Sequence, residues 1–331
     1  MILVLIDHDR GEVEGASFEA LTLGRTLASE LGRPLHSAVI GTSVRAAIED
    51  LVRYPVANLH FVTEERLGEY AAEAWAESLA QLVTATGASV LISPGTDRGN
   101  EVMAHLAARL DAPMAANCTS VTPGPKPTPE GREALAVTRL RWGGSLLEEA
   151  VIHGNVVVLT VAPHSVEAQP PDATEPVSVT EFVPTLTDDH FRVRLTGRVE
   201  RQGGGVSLTE ARVVVGGGRG VGGPEGFRRL QELAGLLGAA VGCSRAVTSL
   251  GWRPHSDQVG QTGVRIAPDV YIACGISGAI QHMVGCKGAK HLIAINTDPE
   301  APIMARADYA VIGDANAVVP AVIEELKKGR A

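Results

Sequence analysis

The sequence predicts an α/β protein of two nucleotide-binding-type domains, each a mainly parallel sheet flanked by helices, the first with an antiparallel extension. Three observations lead there. Short apolar runs alternate with amphipathic stretches from residue 2 onward, many of the 37 glycines stand where those runs end, and 331 residues is about two domains' worth of chain.

In order, Ile2–Ile6 is an apolar run of strand formers, and Phe18–Leu31 follows with helical spacing. Strand patterns at Pro34–Ile40, Asn58–Val62 and Ser89–Ser93 alternate with helical ones near Val44–Leu51, Tyr70–Thr86 and Glu101–Leu110. Such alternation predicts a parallel sheet with right-handed crossovers. Within Tyr70–Thr86, Ala72, Trp75, Leu79 and Leu82 form one apolar stripe, so Trp75 belongs to the core. After Ala115 the pattern changes to successive strands near Ala134–Trp142, Leu146–Ile152 and Val156–Ala162, with turns at Gly143-Gly144 and Gly154-Asn155, which predict the antiparallel extension. Residues 163–176, with Pro163, Pro170, Pro171 and Pro176, read as a surface excursion. Two further β-like runs, Val177–Val183 and Phe191–Glu200, lead to Gln202-Gly203-Gly204-Gly205. The first domain is placed at 1–190, a linker at 191–205 and the second domain at 206–331, with the hinge open between 188 and 204.

The second domain resumes the alternation. Arg212–Val215 runs into the glycines at 216–218 and 220, Phe227–Leu237 is helical, and Val241-Gly242-Cys243 ends a strand that opens at Ser244, placed as an N-cap. Gly218, Gly220 and Gly223 fit G-x-G-x-x-G, but the next strand ends at Cys243 without the acidic residue of a dinucleotide fingerprint. The most informative stretch comes next: the polar, glycine-flanked loop Gln258-Val259-Gly260-Gln261-Thr262-Gly263, the strand Val270–Cys274, a glycine turn from Gly275 to Gly278, and a helix containing His282. Ile293–Asn296, Tyr309–Ile312 and the helix Ala315–Lys328 close the chain.

At a strand–turn–helix junction the first helical amides lack carbonyl partners and carry partial positive charge, so Ser277 and Gly278 stand where a phosphate or an electron-rich ring edge would be held. His282 falls about one turn into that helix on the face of Gly278; alone it reads as a core histidine, and the nearby loop Gln258–Thr262 favours a ligand contact. Arg245 is planar and permanently charged, suited to phosphate or to a reduced flavin edge, or to a solvated surface.

Gly217-Gly218-Arg219-Gly220, Ser244-Arg245, Gln258–Gly263, Tyr271–His282, Ala294-Ile295-Asn296 with Asp298–Pro302, and Ala307-Asp308-Tyr309, in that order, resemble the alpha subunit of electron transfer flavoprotein. Ser93-Pro94-Gly95 through Gly99-Asn100 extends the resemblance more loosely into the first half. The resemblance implies one non-covalent FAD in the carboxy-terminal domain and a heterodimer with a beta subunit that holds AMP. By its motifs, Arg245 lies over the flavin ring, Thr262 offers its hydroxyl near N5, and His282 bonds the carbonyl at C2. Arg219, Ser244 and the turn Ser277-Gly278-Ala279-Ile280-Gln281 hold the ribityl-diphosphate, Gln258, Val259, Gly260 and Gln261 complete the loop, and Asn296 and Asp314 reach toward the adenosine. A cation or N–H donor beside N1 and the C2 carbonyl favours the anionic reduced flavin and raises the potential. The implied function is an electron carrier, no conventional enzyme, fed by dehydrogenases such as acyl-CoA dehydrogenases in fatty acid β-oxidation and discharging to a membrane quinone oxidoreductase. The alternative is a subunit of an electron-bifurcating, NADH-dependent complex with a second flavin; a flavoenzyme with its own substrate would need acids or bases that these motifs lack.

The formal charge of −9 argues against a general nucleic-acid or anionic-membrane binder. Cys118, Cys243, Cys274 and Cys286 form no C-x-x-C pair and no zinc-ligand pattern, so buried reduced thiols are expected. No apolar run reaches the length of a membrane span, and Met1–Asp7 lacks the charged start of a signal peptide; a cytoplasmic location is expected. Gly95–Asn100 lacks the lysine of a P-loop. Asp7-His8-Asp9 alternates faces in extended chain, which favours a structural or partner-facing loop over a metal site.

Overall fold

A computed structural model of the chain describes residues 1–125, 133–173, 177–197, 207–209 and 211–329. It divides into two units, Met1–Val199 and Glu200–Ala331. The glycines of Gln202–Gly205 lie outside the described residues, as do 198–200 of the second β-like run.

The first unit runs β1 (Ile2–Ile6), a small ribbon of β2 (His8–Asp9) and β3 (Glu12–Val13), α1 (Ala16–Leu31), β4 (Leu35–Ile40), the one-turn α2 (Ile48–Leu51), β5 (Asn58–Val62), α3 (Ala72–Thr86), β6 (Val90–Pro94) and α4 (Asp97–Arg109). The strands β7 (Met114–Pro123), β8 (Glu133–Arg141), β9 (Leu146–Gly154), β10 (Val157–Val161) and β11 (Val179–Phe182) follow. Among the described residues nine strands make one sheet in the order β11-β5-β4-β1-β6-β10-β7-β8-β9. All five residues of β1 are buried because helices cover both faces. Ile2, Val4 and Ile6 pack toward Ala20, Leu23 and Leu27 of α1, and Leu3 and Leu5 toward Trp75, Leu79 and Leu106 of α3 and α4.

Three expectations are corrected. The segment Val156–Ala162 does not belong to the antiparallel extension: β10 enters the sheet parallel to β6 and β7, and the antiparallel pairs of this sheet among the described residues are β7 with β8 and β8 with β9. The five residues of β10 are all buried, as a central strand requires, whereas those of β9 alternate toward solvent. Near Val44–Leu51 the chain forms a 3₁₀ stretch, Thr42–Ala47, before the single turn of α2, not one continuous helix. Phe191 closes a 3₁₀ turn, and residues 192–197 form no strand. Arg192 sends its guanidinium to the Asp189 carbonyl and to Glu73, side-chain bonds in place of a ladder.

Asp7-His8-Asp9 is structural. The Asp7 carboxylate accepts from the Thr96 hydroxyl at the cap of α4, His8 Nδ1 accepts from Gly11, so its Nε2–H donates to the Ile40 carbonyl, and Arg98 ties the His8 carbonyl and Asp9 together.

The excursion after β10 is strapped across α1. Glu19 accepts the His164 amide at 2.7 Å, Thr22 accepts the Gln169 amide, and Arg25 pairs with Asp172. Burial pushes the Glu19 pKa up to about 7 from 4.5, against a smaller downward pull from the His164 amide. The folded state therefore binds this proton more tightly than the unfolded chain. The contribution of Glu19 to stability is greatest below about 4.5, falls as pH rises to about 7, and is flat beyond. Glu19→Gln keeps an acceptor for His164 and removes the charge. Urea unfolding across that window should show a flatter profile and a gain of roughly 1–3 kcal/mol at neutral pH. An unchanged slope would mean that Glu19 ionises without penalty.

The second unit contains β12 (Val213–Gly217), α5 (Pro224–Leu237), β13 (Ala240–Cys243), α6 (Arg245–Ser249), β14 (Val270–Cys274), α7 (Ile280–Cys286), β15 (His291–Asn296), β16 (Tyr309–Ile312) and α8 (Ala315–Lys328). Among the described residues its five strands are all parallel, in the order β13-β12-β14-β15-β16. Val215, Cys274 and Ile295 face Phe227, Leu230 and Val319 of α5 and α8; Val214, Tyr271 and Ala294 face Met283 of α7 and Ile303 on the other side. The chain winds from β12 outward to β13, then crosses to β14 on the opposite flank. Strand order reverses between β12 and β14, and in open parallel sheets of this kind that is where a crevice opens beyond the strands' carboxyl ends. Among the described residues no helix is long and apolar enough to cross a membrane.

Candidate functional site

Every candidate segment of the second unit leaves the carboxyl end of a strand or packs on one that does. Arg219 follows β12, Ser244 and Arg245 follow β13, Ser277–His282 follow β14, Asn296 ends β15 and Asp314 follows β16. Parallel strands put their carboxyl ends on one edge, so residues as distant in sequence as Arg219 and Asp314 share that edge.

Two turns meet where strand order reverses. Gly218 donates to the Cys274 carbonyl and Gly220 to the Gly275 carbonyl at 3.1 Å, while Gly275 donates to the Ile295 carbonyl. Gly275 has φ +61, and a Cβ on it would come within 2.6 Å of the Gly220 Cα. No side chain fits between these strands, which leaves the backbones of both turns side by side at the crevice. Beyond them the amides of Gly278, Ala279, Ile280 and Gln281 donate to no carbonyl among the described residues, while those of His282 and Met283 bond back to Ala279. The helix thus begins at Ile280, two residues after Gly278. His282 is its third residue and Gly278 lies in the turn before it, not on the same helical face as the sequence spacing predicts.

The loop Gln258–Gly263 is brought to this turn. Val259 donates to the Cys243 carbonyl at the end of β13, and Gln261 donates to the Gln281 carbonyl at 2.8 Å. Gly285 of α7 packs directly on Gly260. Thr248 of α6 places its hydroxyl 2.9 Å from the Arg245 carbonyl and 2.7 Å from Gln258 Oε1, and Gln258 Nε2 donates to the Thr262 hydroxyl oxygen at 3.0 Å. Thr262 accepts there, so its own hydrogen is left to donate outward. Ser244 holds the N-cap position of α6 without a side-chain cap bond, and its amide is tied to the Gly217 carbonyl. Arg219, Arg245, Thr262, Ser277, Ala279, Ile280 and Gln281 are exposed; Gln258, Val259, Gly260, Gly278 and His282 are buried.

Asn296 and Asp314 are engaged within the fold. Asn296 Nδ2 donates to the Ile276 carbonyl and Oδ1 accepts from Asp298, fixing the turn after β14. Asp314 caps α8 by accepting from the Asn316 amide.

His282 is the electrostatic oddity. Its Nε2 lies 2.8 Å from the Tyr271 hydroxyl, and Nδ1 is buried without a hydrogen-bond partner among the described residues. Burial pushes its pKa down to about 4, while the Val259 backbone pulls weakly upward without reaching bonding geometry. The ring is neutral at physiological pH and has one unsatisfied nitrogen beside the turn.

The first unit matches the electron transfer flavoprotein domain over residues 2–186, and the second matches the electron transfer flavoprotein FAD-binding domain over residues 207–287. The chain belongs to the electron transfer flavoprotein alpha-subunit family. It is 34% identical over 329 residues to electron transfer flavoprotein subunit alpha of Bacillus subtilis, covering 99% of this chain and 97% of the relative. It is 33% identical to the subunit of the same name from Thermoanaerobacterium thermosaccharolyticum, over 99% and 98% of the two chains, and 34% identical to Protein FixB of Clostridium saccharobutylicum, over 99% and 96%. As a member of this electron transfer flavoprotein family, the chain is an electron-transfer protein and not an enzyme with its own substrate.

The site's residues fit FAD on two counts. The glycine contact of β12 with β14, with unpaired amides beyond it, suits the close approach of a diphosphate, and the buried, unpartnered His282 Nδ1 suits a polar ring edge. Two residues that support the candidate site are not legible as such in the sequence. Tyr271 sits inside an apolar strand pattern, where a buried phenol reads as core. Thr248 lies in an amphipathic helix; its only sequence signal is a hydroxyl three residues after Arg245.

Proposed function

We propose that this chain is the FAD-carrying alpha subunit of a heterodimeric electron transfer flavoprotein, paired in the cytoplasm with a beta subunit that holds AMP. It takes electrons from dehydrogenases, acyl-CoA dehydrogenases of fatty acid β-oxidation among them, and delivers them to a membrane quinone oxidoreductase. The observation that carries this reading is the junction of the Gln258–Gly263 loop with the turn after β14, through the Gln261 to Gln281 bond, at the crevice where strand order reverses.

Bound FAD would supply reversible redox chemistry, and the protein's part is to hold and tune it. Arg219, Ser244 and the amides of Ser277–Gln281 would take the phosphates, with Asn296 and Asp314 toward the adenosine. Gln258, Val259, Gly260 and Gln261 would complete the binding loop. Arg245 would lie over the ring with its full charge, Thr262 would donate its free hydrogen near N5, and His282 would offer its unpartnered nitrogen to the C2 carbonyl. Each is a donor or a cation, so negative charge gained on reduction would be stabilised.

Counting cofactors in the purified pair tests the proposal. Absorption and native mass of the co-expressed subunits should give one FAD and one AMP per heterodimer. Two FAD and no AMP would replace this reading with the electron-bifurcating, NADH-dependent complex, and a colourless pair that takes up no FAD would end it.

A further inference from the structure

Tyr271 is fully buried in β14, and the neighbouring strand makes room for it: a Cβ on Gly216 of β12 would collide with the phenol ring and its hydroxyl. The hydroxyl meets His282 Nε2 at 2.8 Å and no other acceptor among the described residues. Burial keeps both groups neutral, holding the tyrosine pKa well above its usual value and the histidine pKa low. Two proton arrangements then exist. In one, the phenol O–H donates to Nε2 and the imidazole hydrogen sits on Nδ1. In the other, Nε2–H donates to the phenol oxygen, which strands the phenol hydrogen in the core and leaves Nδ1 a bare lone pair. The first leaves one buried group without a partner, the hydrogen on Nδ1; the second leaves two, the phenol hydrogen and the Nδ1 lone pair, and each unsatisfied buried polar group is costly. The Val259 backbone, which raises the histidine pKa, acts as an acceptor beside the ring and favours the same arrangement.

We propose that Tyr271 is a positioning residue that locks His282 as its Nδ1–H tautomer, so that the turn after β14 presents a buried N–H donor and never a lone pair. The consequence for flavin rests on the reading of His282 given above. A ring N–H stabilises a carbonyl oxygen that gains negative charge; a lone pair at the same place would repel it. The niche at Gly216, the phenol and the imidazole form one relay of shape and proton position, of which only the last member would touch the cofactor.

The tautomer is measured directly by nitrogen NMR of isotope-labelled histidine in the full chain, without FAD. The expected spectrum shows His282 with Nδ1 protonated and Nε2 an unprotonated acceptor. Tyr271→Phe keeps the ring that fills the Gly216 niche and removes the donor, so its His282 should populate both tautomers, the two nitrogen shifts moving toward each other. A hydrogen on Nε2 in the wild-type chain overturns the proposal even if Tyr271→Phe does not fold, and so does a variant whose tautomer is unchanged. The flavin consequence is read separately in the pair with its beta subunit. There Tyr271→Phe should weaken FAD binding about tenfold, the size of one good hydrogen bond, and His282→Ala by at least as much. Unchanged FAD affinity in His282→Ala would remove the flavin contact of His282 and leave the tautomer to be judged by its spectrum alone.

Discussion

Gly275→Ala is expected to cost about 2–5 kcal/mol of stability in the second unit, the sum of a left-handed backbone penalty of about 1–2 kcal/mol and an overpacking cost of about 1–3 kcal/mol. Both arise at one atom. The residue has φ +61, and its new methyl would stand 2.6 Å from the Gly220 Cα and 2.7 Å from the Gly220 carbonyl carbon, backbone atoms that cannot rotate away. The turns are held from both sides, Gly275 to the Ile295 carbonyl and Gly220 to the Gly275 carbonyl, so the strain must be taken up by spreading β12 from β14. A spread crevice disperses the amides of the turn, and the purified pair should carry less FAD than the wild type. Gly238→Ala is the matched control: its φ is +63 and nothing lies within 4 Å of the new methyl, so it should show the backbone penalty alone, with FAD content intact. Chemical unfolding and flavin-to-protein absorbance of the two variants separate the terms. Equal losses of stability and equal FAD content would mean that the contact of the two turns has no bearing on the site.

The same crevice explains which parts of the molecule were legible in the sequence. Val270–Cys274, Tyr309–Ile312 and Ala315–Lys328 match their elements residue for residue, because each run is bounded by an aspartate before it and a glycine after it: Asp269 and Gly275, Asp308 and Gly313, Asp314 and Gly329. Parallel alternation then puts the candidate residues on one edge with no knowledge of contacts. What escaped was information that exists only between strands. β7 (Met114–Pro123) has no clear strand pattern in the sequence, since its half-exposed residues combine pairing to β10 over its first half with pairing to β8 over its second. The direction of β10 is not legible because a two-residue link after β9 reads as a hairpin turn, although the chain re-enters the sheet beside β6. Tyr271 carries no motif of its own. Its part is visible only once Gly216 and His282 stand next to it, eleven residues from the histidine along the chain and one strand from the glycine.

Arg245→Ala should lower the flavin's reduction potential by roughly 60 mV per electron, the equivalent of one tenfold change in the redox equilibrium. Arg245 is the first residue of α6, exposed at the end of β13, and its carbonyl lies against Thr248, which joins it through Gln258 to Thr262. A permanently charged guanidinium at that place opposes no nearby cation among its bonded neighbours and would favour the flavin state that has gained charge. A ring covering it would strip water from the guanidinium and strengthen the effect beyond that of an exposed ion pair. His282→Ala should shift the potential in the same direction by less, since a neutral N–H donor contributes less than a full charge. Arg212→Ala supplies the control for net charge: Arg212 lies at the amino end of β12, pairs with Asp269 at 2.8 Å, and stands at the opposite edge of the sheet from the crevice. Removing it changes the protein's charge by the same unit, and spectroelectrochemical titration should return the wild-type potential. If Arg212→Ala and Arg245→Ala moved the potential equally, the tuning would come from the protein's overall charge, and Arg245 would have no place over the ring.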